Sequence, residues 1–215
     1  MSQQFLYSLL TLVCFIPAMV LHELAHGWVA HKLGDPTAKR AGRLTLNPLK
    51  HIDPFGTVIL PLGLLFLGGP VFGYAKPVPY NPAYFKNLRR GELMVGLAGP
   101  AANLLQALAA ALLGNFFCIV AAPFWAQELM YVYAYINLIL LFFNIIPIPP
   151  LDGSSVLAVF LPRRALPYYY KVERYALPIL MVLMFALPYV LSFNPVSIYL
   201  DATAGNLTGL LFPLL

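Results

Sequence analysis

Two histidines four residues apart, with a glutamate directly after the first, form the stretch His22-Glu23-Leu24-Ala25-His26. They end a run that carries no Asp, Glu, Lys or Arg from Met1 to Leu21. On a helix, residues four apart lie about 40° apart around the axis and about 6 Å along it, so His22 and His26 share a face and can reach one metal ion. Glu23 points about 100° away from His22, which lets it hold a water molecule instead of the metal. His-Glu-x-x-His on a helix is therefore a zinc-peptidase pattern. His31 is about 180° round from His22 and cannot join that face; beside Lys32 it reads as an interfacial residue. The competing explanation is a set of polar residues hydrogen-bonded inside a bundle. Ionisable groups at membrane depth are costly without a partner, and this favours metal binding.

The elements that must position these groups are membrane helices. Of the 215 residues, 60% are hydrophobic and 10% charged, and the mean hydropathy is +0.78, unlike a soluble domain. Charge-free runs at 1–22, 54–75, 93–127, 129–151 and 175–200 are long enough for the roughly 20 helical residues that a ~30 Å hydrocarbon core requires. A shorter run occupies 202–215. The first run has no basic residue ahead of it and meets LHELAH where a signal cleavage site would fall, so it is expected to be a retained helix. The net charge of +5 resides in loops between apolar runs, the distribution produced by anionic lipid and topology selection rather than by nucleic acid. Cys14 and Cys118 each fall inside an apolar run, which argues against a disulfide framework.

A catalytic zinc site takes three protein ligands and leaves one position open. Asp152 lies in NIIPIPPLDG, residues 144–153, where Pro147, Pro149 and Pro150 end any regular helix and Gly153 allows an unusual turn. Irregular backbone at membrane depth is tolerated where it is buried in protein or lines a wet cavity. Taken alone, Asp152 serves equally well as the cap of a short helix starting at Ser154.

HELAH paired with an Asn-x-x-Pro…Leu-Asp-Gly segment resembles the site-2 protease family of intramembrane metalloproteases, and LAGPAANLL (97–105) and GYAKPVPYNP (73–82) look like further family segments. The resemblance covers roughly residues 10–160. It implies that His22, His26 and Asp152 bind Zn2+, that Glu23 is the general base, and that the substrate is a transmembrane protein or peptide. Asn103 matches the family's Gly-Pro-x-x-Asn segment. It is expected either near the substrate or developing oxyanion, or in a helix-to-helix hydrogen bond beside Gly99, Ala101 and Ala102. No PDZ or CBS domain is recognisable in the sequence, and no spanning helix is expected ahead of the HELAH helix.

This reading makes a demand on topology. The helix bearing the histidines and the helix before Asp152 must end on the same side. Basic residues cluster at 32–50, at 76–90 and at 163–174, whereas 116–128 carries only Glu128. Positive-inside reasoning places 31–92 and 149–174 in the cytoplasm and the N-terminus outside. Residues 54–72, with Pro61, Gly63, Gly68, Gly69 and Pro70, should then dip into the membrane and return. The expected fold is an all-α polytopic bundle of about five to six membrane segments with a re-entrant stretch and a small cytoplasmic-side β-hairpin. The hairpin is placed in residues 38–53 on the alternation Arg43 to Leu46, either as a plain surface feature or as an edge for an unwound substrate. His51 and Asp53 are expected to cap the re-entrant turn rather than reach the metal. Residues 1–160 form the metalloprotease core and 161–215 the C-terminal membrane helices of the same domain, with Tyr168 to Tyr170 as an interfacial anchor. The expected function is hydrolysis of transmembrane substrates by a multi-pass protein of the cell membrane whose site opens toward the cytoplasm. The rivals are a membrane-anchored peptidase with Glu92 or Glu173 as third ligand, and a non-catalytic metal-binding scaffold or transporter.

Overall fold

The computed structural model describes residues 3–59, 63, 74–162 and 164–215. Helix α1, Gln3–Lys32, carries the HELAH segment in its second half. It stops where Gly34 takes a φ of +103°, with the Asp35 amide donating to the Ala30 carbonyl and the Gly34 amide to that of His31. That pairing satisfies the last carbonyls of the helix and needs a residue that tolerates the left-handed region. A short α2, Thr37–Arg40, and a single 3-10 turn at Pro48–Lys50 follow.

Helix α3, Leu88–Ile119, is capped by the Asn87 side chain accepting from the Arg90 amide. Its buried face is built from small residues, among them Gly91, Gly96, Ala98, Gly99, Ala107, Ala110 and Gly114. Small residues let helix backbones approach closely, which is how packing replaces the missing hydrophobic drive between helices in lipid. Accordingly α3 lies against α1, against α4, Phe124–Asn144, and against α5, Ser154–Phe160. Leu138, Leu141, Ala107 and Ala111 form the core between α3 and α4. Cys14 and Ala18 of α1 meet Val132 and Ile136 of α4 in a second cluster. Both cysteines are free.

Proline ends α4, and the chain turns back on it. The Gly153 amide donates to the Asn144 carbonyl at 2.6 Å. A Cβ on Gly153 would lie 2.1 Å from the Ile145 carbonyl oxygen, so only glycine fits this closure. Arg89 of α3 donates to the Val159 and Leu161 carbonyls at the C-terminus of α5 and supplies partners that the helix end lacks.

The remaining helices are α6, Leu166–Glu173, α7, Ala176–Leu191, α8, Pro195–Leu200, and α9, Asn206–Leu211, with a π turn at Asp201–Gly205 between the last two. Phe212 packs on Tyr131, Tyr199 donates to the Phe142 carbonyl, and Asn115 donates to that of Leu211. These contacts fasten the C-terminal segment to α3 and α4.

The all-helical expectation holds among the described residues, but two of its details are corrected. Among the described residues three helices are long and apolar enough to cross a membrane, Leu9–Lys32, Leu88–Ile119 and Phe124–Asn144, fewer than the five to six segments expected. The apolar run at 175–200 is divided where Ser192 takes a φ of +58° and Asn194 caps α8. This leaves α7 with 16 residues, about 24 Å at ~1.5 Å per residue. The hairpin expected in 38–53 is absent, and no strand occurs among the described residues. Local bonds take its place: Thr45 Oγ1 accepts from the Asn47 amide, Asn47 Oδ1 from the Leu49 amide, and Pro48 offers no amide to a ladder.

The interior of the expected re-entrant stretch lies outside the described residues, but its two ends do not. The Lys76 amide donates to the His51 carbonyl at 2.9 Å and the Tyr74 amide to that of Gly56 at 3.0 Å. The two ends of the stretch therefore lie side by side.

Candidate metal centre

His22 and His26 are buried, one helical turn apart, with ring centroids 4.7 Å apart and planes at 79°. The loop after α4 brings Asp152 to them. His22 Nε2 lies 3.0 Å from His26 Nε2, and Asp152 Oδ2 lies 3.1 Å from the first and 3.3 Å from the second. Among the described residues this is the one group of three metal-ligating side chains whose ligand atoms all lie within 4.8 Å of one another.

The far side of each ring shows which atoms carry protons. His26 Nδ1 is 2.7 Å from the Val95 carbonyl, which can only accept, so Nδ1 donates and Nε2 holds a lone pair in the neutral ring. His22 Nδ1 is 2.5 Å from Asn103 Oδ1 and donates to it in the same way. Two imidazole lone pairs and a carboxylate oxygen thus converge, and Asp152 Oδ2 has no hydrogen-bond partner. Three acceptors this close repel one another unless a cation lies between them. Their separations are close to the ~3.3 Å between two ligands of a tetrahedral zinc at about 2.0 Å, so the residues fit that ion. Gly99 of α3 closes the site from above: a Cβ there would stand 2.4 Å from His26 Nε2 and 2.6 Å from His22 Nε2.

Asn103 is held inside the bundle. It is fully buried; its oxygen accepts from His22, while its amide nitrogen donates to Asn137 Oδ1 at 2.8 Å and to the Ala18 carbonyl at 3.5 Å. Asn137 in turn donates to the Tyr133 carbonyl. Of the two settings expected for it, the structure shows the hydrogen bond between helices, made here to the far side of the His22 ring. The reason is tertiary: α3 faces α1 and α4 with its amide between them. Asn137 went unremarked in the sequence, although an amide in the middle of the apolar 129–143 run was an available signal. Val95 acts through its carbonyl, for which no side-chain signal exists.

Glu23 is partly buried, and its Oε2 accepts from the Val78 amide at 3.0 Å. Glu92 stands apart from the metal group and lines a cavity of about 520 Å³ with Asn87, Arg89 and Ala158. Asp53 caps the turn Pro54–Ile59 by accepting from the Phe55 and Gly56 amides, and His51 is buried against the Thr45 carbonyl. Beyond the end of α1, Asp35 is fully buried and accepts from the Thr37 amide and hydroxyl and from the Asn81 amide at 2.6 Å. Burial alone would raise its pKa. The Thr37 hydroxyl, the Asn81 and Thr37 amides and the charge of His31 together hold it below the usual carboxylate value.

The family model described as Peptidase family M50 matches residues 117–187, a span that includes Asp152. The chain is 37% identical over 196 residues to YwhC of Bacillus subtilis (strain 168), covering 84% of each chain. It is 32% identical over 213 residues to Rip2 of Mycolicibacterium smegmatis, covering 93% of this chain and 80% of the relative. Both of those proteins bear the name "putative zinc metalloprotease". A protein of Methanocaldococcus jannaschii named zinc metalloprotease MJ0392 is 27% identical over 164 residues, 76% of this chain and 38% of that one. No solved structure matches.

Proposed function

The chain belongs to peptidase family M50 and is a metalloprotease, and from that premise we propose that it hydrolyses peptide bonds of transmembrane substrates within the bilayer. Zn2+ is the cofactor, held by His22, His26 and Asp152. The observation that carries this reading is the convergence, within 3.3 Å, of two Nε2 atoms on a helix long and apolar enough to span a membrane with Oδ2 of Asp152 from the loop after α4. When bound, zinc acts as a Lewis acid toward the scissile carbonyl and acidifies water.

The other roles belong to the chain. Glu23, about 100° around α1 from His22, takes the proton of the attacking water and returns it to the leaving amine. Asn103 and the Val95 carbonyl fix both rings in the tautomer that presents Nε2, and the Asn103–Asn137 pair extends that support across α3 and α4. Gly153 sets Asp152 by allowing the loop to fold back on α4. A substrate helix keeps its carbonyls hydrogen-bonded internally and must unwind before attack, so helix-breaking residues in the substrate promote cleavage.

The protein is multi-pass in the cell membrane, with α1 and α4 running inward and α3 outward. The site opens toward the cytoplasm, since basic residues gather at 32–50 and 76–90 while 116–128 carries only Glu128.

The test is bound zinc per chain, with cleavage of a helix-destabilised membrane substrate assayed in parallel, in wild type, Glu23→Ala and Asp152→Ala. Glu23→Ala is expected to keep zinc and lose cleavage, and Asp152→Ala to lose both. Zinc retained in Asp152→Ala overturns the ligand assignment, and a wild type that binds none overturns the function.

A further inference from the structure

The segment Lys76-Pro77-Val78-Pro79 passes directly beside the proposed general base. Proline has no amide hydrogen, so between Pro77 and Pro79 the backbone offers one donor, the amide of Val78. That donor is bonded to Glu23 Oε2 at 3.0 Å. The residue before a proline is pushed into extended conformation, which fixes the backbone at Lys76 and at Val78 alike.

The segment is also held on each side of this bond. The Lys76 amide donates to the His51 carbonyl, and the buried Arg43 guanidinium donates to the Lys76 carbonyl at 2.6 Å and that of Pro77 at 3.4 Å. Further on, the Asn81 amide is bonded to the buried Asp35. The Val78 side chain is buried over Gly27, where an added Cβ would stand 2.7 Å from Val78 Cγ1. A rigid strap thus delivers a single N–H to one carboxylate oxygen.

We propose that Val78 is a positioning residue, its main-chain amide anchoring Oε2 of Glu23 so that the other oxygen is aimed at the reacting water. The inference rests on the reading of Glu23 as general base. A carboxylate on a freely rotating side chain would sample many orientations, and general-base catalysis requires hydrogen-bond reach in a productive pose.

The test uses the full chain in detergent and has two arms. In the first, exchange of the Val78 amide is followed by NMR in wild type and Glu23→Ala, with the Lys76 amide as internal control. The Val78 amide is expected to exchange at least about tenfold faster in the variant while Lys76 is unchanged. Equal Val78 rates overturn the proposal, and this arm reads the contact whether or not peptide hydrolysis is the activity.

In the second arm, Val78→Pro deletes the donor in a backbone already extended by its neighbours, and Val78→Ala keeps it. Val78→Pro is expected to lower kcat at least about tenfold with KM and zinc content unchanged, and Val78→Ala to retain most of kcat. A raised KM with unchanged kcat makes the strap a substrate contact and overturns the proposal, as does wild-type kinetics in Val78→Pro. If Val78→Pro fails to fold, the exchange arm decides.

Discussion

A methyl group added at Gly99 would place a carbon 2.4 Å from His26 Nε2, 2.5 Å from His22 Cε1 and 2.6 Å from His22 Nε2. Ordinary contacts begin at about 3.4 Å, so Gly99→Ala creates an overlap of about 1 Å with both rings at once. The rings cannot simply retreat, because their Nδ1 atoms are bonded to Val95 and Asn103 on the same helix that carries the new methyl. Nor can α3 back away by 1 Å without stretching those two bonds beyond hydrogen-bond range.

Overpacking of this kind costs about 1–3 kcal/mol. A metal site tolerates ligand displacements of only about 0.2 Å, and a 1 Å misplacement of catalytic geometry can lower rate about 100-fold. Zinc affinity in a chelator-buffered titration is expected to fall at least about tenfold and kcat/KM about 100-fold. Gly205→Ala serves as the control, since no atom lies within 4 Å of its added Cβ. Wild-type zinc affinity in Gly99→Ala would refute the placement of α3 over the two histidines.

Three further outcomes follow from the same geometry. Asn103→Ala removes the acceptor of His22 Nδ1 and the donor to Asn137, so zinc affinity should fall about 10- to 100-fold in competition titration; unchanged affinity would return Asn103 to a substrate role. Asp35 has a folded pKa below its unfolded value of about 3.9, so the stability it contributes is present above that unfolded value and is lost as pH falls through the folded one. The melting-temperature gap between wild type and Asp35→Asn should therefore be constant above about pH 5 and close in more acidic buffer; a gap that widens on acidification would contradict this sign. Because the ends of the 56–74 excursion meet, single cysteines at Arg40 and Lys86, in a background lacking Cys14 and Cys118, should react with an impermeant thiol reagent from the same membrane face. Labelling from opposite faces would mean that the stretch crosses.

Features with a short range were legible in the sequence. The helical spacing of His22 and His26, and the offset of Glu23 between them, need nothing beyond 3.6 residues per turn. The break at Pro147, Pro149 and Pro150 and the turn at Gly153 follow from which backbone conformations those residues allow. Membrane helices followed from composition. The hairpin failed because a short alternation at 43–46 describes a strand only if a partner exists. Here Thr45, Asn47 and Pro48 settle the backbone with bonds to their own neighbours. The expected segment count is not reached among the described residues, because an apolar run fixes partition into lipid without fixing where a helix is interrupted, as it is at Ser192.

By itself, then, the sequence determined the shared face of His22 and His26 on α1, the apolar helices and the position of the break that carries Asp152, since each depends on residues within a few turns. Only the tertiary structure decided what lies on the other side of each ligand. That Asn103 meets His22, that Val95 and Val78 bond to His26 and Glu23 through backbone atoms, and that Gly99 leaves room for two imidazoles all depend on how α3 and the 74–81 segment pack on α1. Every residue carries the same backbone amide and carbonyl, so their contribution is invisible in a string of side chains until packing brings them to a partner.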